Sequence, residues 1–220
     1  MSIQQSSDSN LSPLRLAVLV SGSGSNLQAL IDAIESGQLP NTRIVLVVSN
    51  RAAAFGLQRA LEHKIPSIYL PWAKRREESE AKLQVLLDLF EVDLIVLAGF
   101  MKIFTPAFIT RYPQRIINLH PALLPDDSVG STYTTSDGTV IPAFRGAHVV
   151  PDALKAGVKV TGSTVHYVIP EVDAGPVICR EEVRIEEGDT EETLHERIKA
   201  VEHRLIVQAV QAHQKQNERG

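Results

Sequence analysis

The stretch Leu14–Val20, LRLAVLV, is apolar at every position except Arg15, and that continuity constrains the fold more than any other feature. An alternating strand can turn one face to water, whereas a run of this kind is stable only where both faces are covered. A glycine-rich turn, SGSGSN at residues 21–26, follows at once. Leu27, Leu30, Ile31 and Ile34 then recur at helical spacing, and Gly37 suits the helix stop. A buried strand feeding a tight turn and an amphipathic helix is the opening unit of a parallel α/β sheet.

The unit repeats. Strands are expected at residues 43–49, 67–70, 93–98 and 115–119, with helices at 54–63 and 75–90 between them. A helix at 149–156 precedes two consecutive strand-like runs, 159–168 and 177–185. The stretch 190–211 closes the pattern with Leu194, Ile198, Val201 and Leu205 on one stripe. The expected fold class is therefore α/β: a doubly wound, mostly parallel sheet of Rossmann-like type, with an antiparallel extension near the C-terminal end. A length of 220 residues, 44% of them hydrophobic and 22% charged, suits one domain over 14–213 behind a polar, disordered tail at 1–13.

The same figures exclude several classes. With 22 Lys and Arg against 26 Asp and Glu, the net charge is −4; no basic run offers a phosphate-binding surface, so no nucleic-acid partner is expected. Cys179 is the only cysteine, which rules out a disulfide framework. It sits in an apolar strand, where a thiol is core filler rather than a nucleophile. The histidines form no metal-spaced cluster, so no metal is expected. No apolar run is long enough to span a bilayer and the first residues lack signal-peptide order, which together imply a cytoplasmic protein without a membrane partner.

Three constellations carry chemistry. Gly22, Ser23, Gly24, Ser25 and Asn26 lie between the first strand and its helix, where glycines allow a tight backbone and the helix terminus offers free N–H groups to an anion such as phosphate. The alternative is a plain turn with Ser25 or Asn26 as helix cap. Leu27 stands where a dinucleotide fingerprint needs its third glycine, so nicotinamide binding is disfavoured. Asn118 and His120, in NLHP at a strand end, point to one side and could together hold an oxyanion. Asp173, in the EVDAGP turn, could orient an imidazole or relay a proton, though a turn aspartate more often caps its own backbone. Lys199 and Glu202 share a helix face as a default solvated pair. His148, His166 and His195 are ambiguous, and His166, inside a strand, reads as structural.

One segment breaks the alternation. Residues 126–143 are rich in Ser and Thr and carry an Asp137-Gly138 turn signal, which reads as an exposed insertion loop or a small β-excursion without catalytic duty.

In combination, VLVSGSGSNLQALID, VVSNRAAAFGLQRA, DLIVLAGFMKIFTPAFI, INLHPALLP, GSTVHYV, EVDAGPVI and VEHR closely resemble the glycinamide ribonucleotide formyltransferases of purine synthesis, in colinear order over most of the chain. The resemblance implies transfer of a formyl group from 10-formyltetrahydrofolate, the co-substrate, to the amine of glycinamide ribonucleotide. Both partners are small molecules, and the oligomeric state would be monomer or homodimer. It implies Asn118, His120 and Asp173 as the catalytic trio, with Asp173 raising the pKa of His120 and holding it charged. It assigns the loop Gly22 to Asn26 and Lys199 to the ribonucleotide phosphate and Glu202 to the glycinamide amine. It also assigns Arg76, Met101, Lys102, Ile103, Phe104, Pro170, Glu171 and Val172 to the folate. Lys102 stands where arginine is frequent. Methionyl-tRNA formyltransferases share the trio but usually append a β-barrel domain, and formyltetrahydrofolate hydrolases usually precede it with a regulatory one. The departure is the 126–143 insertion, since the family usually runs directly from LLP to the stretch occupied here by Phe144-Arg145-Gly146.

Overall fold

In a computed structural model describing residues 12–126 and 130–217, the apolar runs pair as the sequence pattern demands. β1 (Leu14–Val20) lies between β2 (Thr42–Ser49) and β4 (Leu94–Leu97), and all three are parallel. β3 (Ser67–Tyr69) extends one side, and β5 (Ile116–His120) the other. β8 (Val160–Tyr167) and β9 (Val177–Arg184) then add antiparallel strands, giving the order β3-β2-β1-β4-β5-β8-β9. The doubly wound sheet with its antiparallel extension is thus observed.

β1 explains the two-sided core. Leu16, Val18 and Val20 face one hydrophobic cluster, which includes residues of α1 (Ser25–Glu35), α5 (Val149–Ala156) and α6 (Glu191–Asn217). Ala17 and Leu19 face the other, against α3 (Arg76–Leu89) and α4 (Pro106–Arg111). α2 (Phe55–Glu62) contributes Ala60 to the first cluster. Period-two alternation thus divides a continuous apolar run between two helical layers.

Two local features, at α4 and α6, differ from expectation, and the insertion takes the second of its two expected forms. α4 has no counterpart in the periodicity, because six residues are too few to show a helical stripe. Its start was nevertheless encoded: Thr105 caps it by accepting from Phe108 N, and Pro106 occupies the first turn. α6 runs to Asn217, beyond the expected end. The insertion contains a two-stranded hairpin, β6 (Thr132–Thr134) and β7 (Val140–Pro142), with Ile141 buried beneath it. Asp137 and Gly138 form its turn, with Asp137 accepting from Thr135 Oγ1 at 2.6 Å and from Thr139 N at 3.0 Å. The tail at 1–11 and residues 127–129 lie outside the described residues.

Candidate active site

Strand order reverses beside β1, where the chain passes from β1-β2-β3 to β4-β5 on the other side. Loops at the carboxyl ends of strands diverge at such a point and leave a crevice. Here it is a cleft of about 650 Å³. β1 supplies Gly22, Ser23, Gly24, Ser25 and Asn26; the loop after β4 supplies Met101, Lys102, Ile103 and Phe104; β5 supplies Asn118 and His120. Pro170, Glu171, Val172 and Asp173 line it from the β8–β9 turn, and His195, Lys199 and Glu202 from α6. Of the residues singled out in the sequence, Arg76 is not brought there. It opens α3 as an exposed side chain, because the helix starts outside the crevice.

At the floor, Asn118 and His166 face each other across the β5–β8 ladder. His166 Nδ1 lies 2.9 Å from its neighbour's carbonyl, Tyr167 O, and Nε2 lies 3.2 Å from Asn118 Nδ2. A neutral ring donating from Nδ1 satisfies both contacts, with Nε2 accepting from the amide. His166 Nε2 also lies 3.7 Å from Asp173 Oδ1. It is buried in its strand, as a structural histidine is, and it also touches two of the three candidate catalytic residues; its direct opposition to Asn118 is visible only once the antiparallel pairing is known.

His120 is buried. Its Nε2 lies 2.8 Å from Phe144 O, and its Nδ1 lies 3.5 Å from Asp173 Oδ2. Burial disfavours the imidazolium most, and Asp173 opposes that effect without overcoming it, so the pKa lies below the ordinary value. This corrects the expectation that Asp173 holds His120 charged: desolvation outweighs one carboxylate at 3.5 Å. Asp173 itself is desolvated, which would raise its pKa. His120 and the Gly146 N–H (2.9 Å from Oδ2) reverse that, and the carboxyl lies below its ordinary range.

The phosphate-type loop also departs from the plain-turn alternative. Gly24 is the N-cap of α1, at φ 69°, and no side chain caps the helix. Ser25 and Asn26 are already helical, and the Asn26 amide instead donates to Glu202 Oε2 at 3.1 Å. Its Oδ1 is buried without a partner among the described residues. Lys199 and Glu202 are not a solvated pair, since Lys199 contacts Glu196 at 2.5 Å while Glu202 is buried and its pKa is raised by that burial. His148, at the start of α5, is exposed. Cys179 has its thiol pushed up to about 11 by burial, which suits packing rather than nucleophilic chemistry. Among the described residues, no group of three or more His, Cys, Asp or Glu could hold a metal, and no helix is long and apolar enough to cross a membrane.

The profile of the formyl transferase family matches residues 14–128 and 137–210. The chain belongs to the formyl transferase family. The family match leaves out residues 129–136, within the insertion. Similar proteins of this family include the phosphoribosylglycinamide formyltransferase of Mycobacterium tuberculosis H37Rv, 42% identical over 91% of this chain and 85% of that one. The human trifunctional purine biosynthetic protein adenosine-3 is 40% identical over 90% of this chain, which spans only 18% of that longer protein. Among solved structures, glycinamide ribonucleotide transformylase 1 of Symbiobacterium toebii superposes with a TM-score of 0.80 at 39% identity, covering 93% of this chain and 91% of that one. Phosphoribosylglycinamide formyltransferase of Bacillus halodurans gives 0.78 at 38%, covering 91% and 94%.

Proposed function

We propose that this chain is a cytoplasmic phosphoribosylglycinamide formyltransferase, moving the formyl group of 10-formyltetrahydrofolate to the amine of glycinamide ribonucleotide. The observation that carries the reading is the convergence of Asn118, His120 and Asp173 in a cleft that also joins an anion-suited loop to an apolar rim. The two halves suit two different ligands. At one end are the backbone of Gly22 to Asn26, the α1 terminus and Lys199, which suit a phosphate dianion. Glu202 and the unpartnered Asn26 Oδ1 offer acceptors to the rest of the ribonucleotide. At the other end are Met101, Ile103, Phe104, Pro170 and Val172. The Met101, Ile103 and Val172 side chains stand exposed there, an apolar surface fit for a flat pterin.

The folate supplies the formyl carbon. The acceptor must attack as an uncharged amine, and negative charge then gathers on the formyl oxygen. Asn118 spends one amide hydrogen on His166 and has a second to offer that oxygen. His120, neutral at rest, takes through water the proton that the attacking amine sheds, and the Asp173 carboxylate supports the imidazolium. The low pKa of Asp173 keeps it ionised for that role and for assisting the proton transfer. The intermediate then collapses, the bond from the formyl carbon to the folate nitrogen breaks, and that nitrogen receives the proton back from the imidazolium. Loss of one preorganised donor costs on the order of 10²–10³ in turnover. Asn118→Ala and Asp173→Asn should lower kcat by at least that order with little change in ribonucleotide affinity, measured by steady-state kinetics and calorimetry. Near-parental kcat in both variants would sink the mechanism.

A further inference from the structure

The three consecutive residues that follow the insertion each touch the catalytic trio. Phe144 O receives the His120 Nε2 contact at 2.8 Å, Arg145 Nε donates to Asp173 O at 3.0 Å, and Gly146 N donates to Asp173 Oδ2 at 2.9 Å. Asp173 needs such support. It is a non-glycine residue at φ 51°, a left-handed conformation that persists only where its surroundings enforce it. Arg145 also reaches in the other direction, donating from Nη2 to Gly130 O at 3.0 Å, within the insertion. One planar guanidinium therefore spans the inserted segment and the catalytic turn, a geometry that lysine cannot reproduce.

The insertion in turn is fastened to β9. Glu182 accepts from Ser136 N at 2.7 Å, Ser136 Oγ at 2.6 Å and Tyr133 OH at 3.3 Å, all on the hairpin. Arg180, two residues earlier on the same face of the strand, grips Asp126 through two bonds of 2.7 and 2.9 Å and lies 4.9 Å over the Tyr133 ring. β9 thus holds both the base and the tip of the excursion, and Arg145 passes that anchorage on to Asp173.

We infer that the inserted hairpin is a built-in brace for formyl transfer, in which Arg145 is a positioning residue that fixes the Asp173 turn and Glu182 is its remote anchor. The inference rests on the proposed formyltransferase reading for its kinetic consequences and deepens it. It departs from the sequence-based view of the segment as an exposed insertion without catalytic duty.

The test uses the full chain and five variants. Glu182→Ala lies away from the cleft lining, yet it should lower kcat roughly ten-fold while both KM values stay within about two-fold, as displacement of a catalytic group does. Arg145→Ala should lower kcat further. The double variant should be no worse than Arg145→Ala alone, because both act through one connection. Glu182→Gln should recover part of the loss, whereas Arg145→Lys, unable to bridge both carbonyls, should not. The His120 ring resonances should move in Glu182→Ala, although Glu182 makes no bond to that ring. Parental kcat with unmoved His120 resonances in both alanine variants would overturn the inference. So would a joint collapse of kcat, KM and melting temperature that Glu182→Gln does not relieve. If the parent chain transferred no formyl group, the function proposal alone would fall, and the resonances would still decide the linkage.

Discussion

At the scale of single residues, the site sets a buried imidazole between two opposing influences. Burial pushes His120 toward neutrality and Asp173 pulls it toward the cation, with burial ahead. Removing the carboxylate leaves burial unopposed. In Asp173→Asn, the pKa of His120 followed by its ring protons should therefore fall below the parental value. A rise would mean that Asp173 does not act on His120 as a charge. The sequence could name Asn118, His120 and Asp173, because residue type and strand-end position suffice for that. It could not give the protonation state, which depends on how deeply the ring is covered. It left His166 ambiguous and could not find Phe144 O, because their contacts exist only through cross-strand pairing and through the path of the chain after the insertion.

At the scale of elements, the glycine-rich loop performs two separable tasks. A Cβ on Gly24 would lie 2.7 Å from Gly56 Cα, on top of a left-handed φ of 69°, so this glycine lets the loop pack against α2. A Cβ on Gly22 meets nothing within 4 Å, and its φ is unrestricted. Gly24→Ala should therefore cost stability, about 1–2 kcal/mol from the left-handed backbone alone, with more from the contact. Gly22→Val should keep the parental melting temperature and raise KM for the ribonucleotide more than for the folate. Equal rises for both substrates would show that the loop does not cradle the phosphate. Element boundaries were legible where the apolar stripe is long, as in β1 and α1. They failed at α4, too short for a stripe; at the insertion the Asp137-Gly138 signal offered a β-excursion but not its strands, which are polar and held by one buried side chain, Ile141, and by side-chain bonds to Glu182.

At the scale of the whole molecule, buried titratable groups make stability depend on pH. His120, His203 and His213 all lie below their ordinary value, chiefly through burial. Below about pH 6.5 the unfolded chain binds protons that these rings refuse, so folding stability should fall as pH drops from 7 toward 5, at up to about 1.4 kcal/mol per pH unit for each full proton of difference. Glu202 works the other way. Its raised pKa means that the folded state binds the extra proton, so its contribution declines as pH rises above the ordinary carboxylate value. Glu202→Gln removes only that opposing contribution. Thermal melts should show the variant gaining stability over the parent at neutral pH and losing it more steeply on acidification; a shallower slope would contradict the assignment. Binding of the ribonucleotide should weaken in the same variant, the usual trade between a stable site and a functional one.

The central claim is that this cleft passes a formyl group to an amine rather than to water. The direct measurement follows the absorbance of deformylated folate when the purified chain is mixed with 10-formyltetrahydrofolate, with and without glycinamide ribonucleotide. Turnover that requires the ribonucleotide is the expected result. Equal release without it would make the protein a hydrolase, and no release with folate still bound would make it a binder; either would contradict the account.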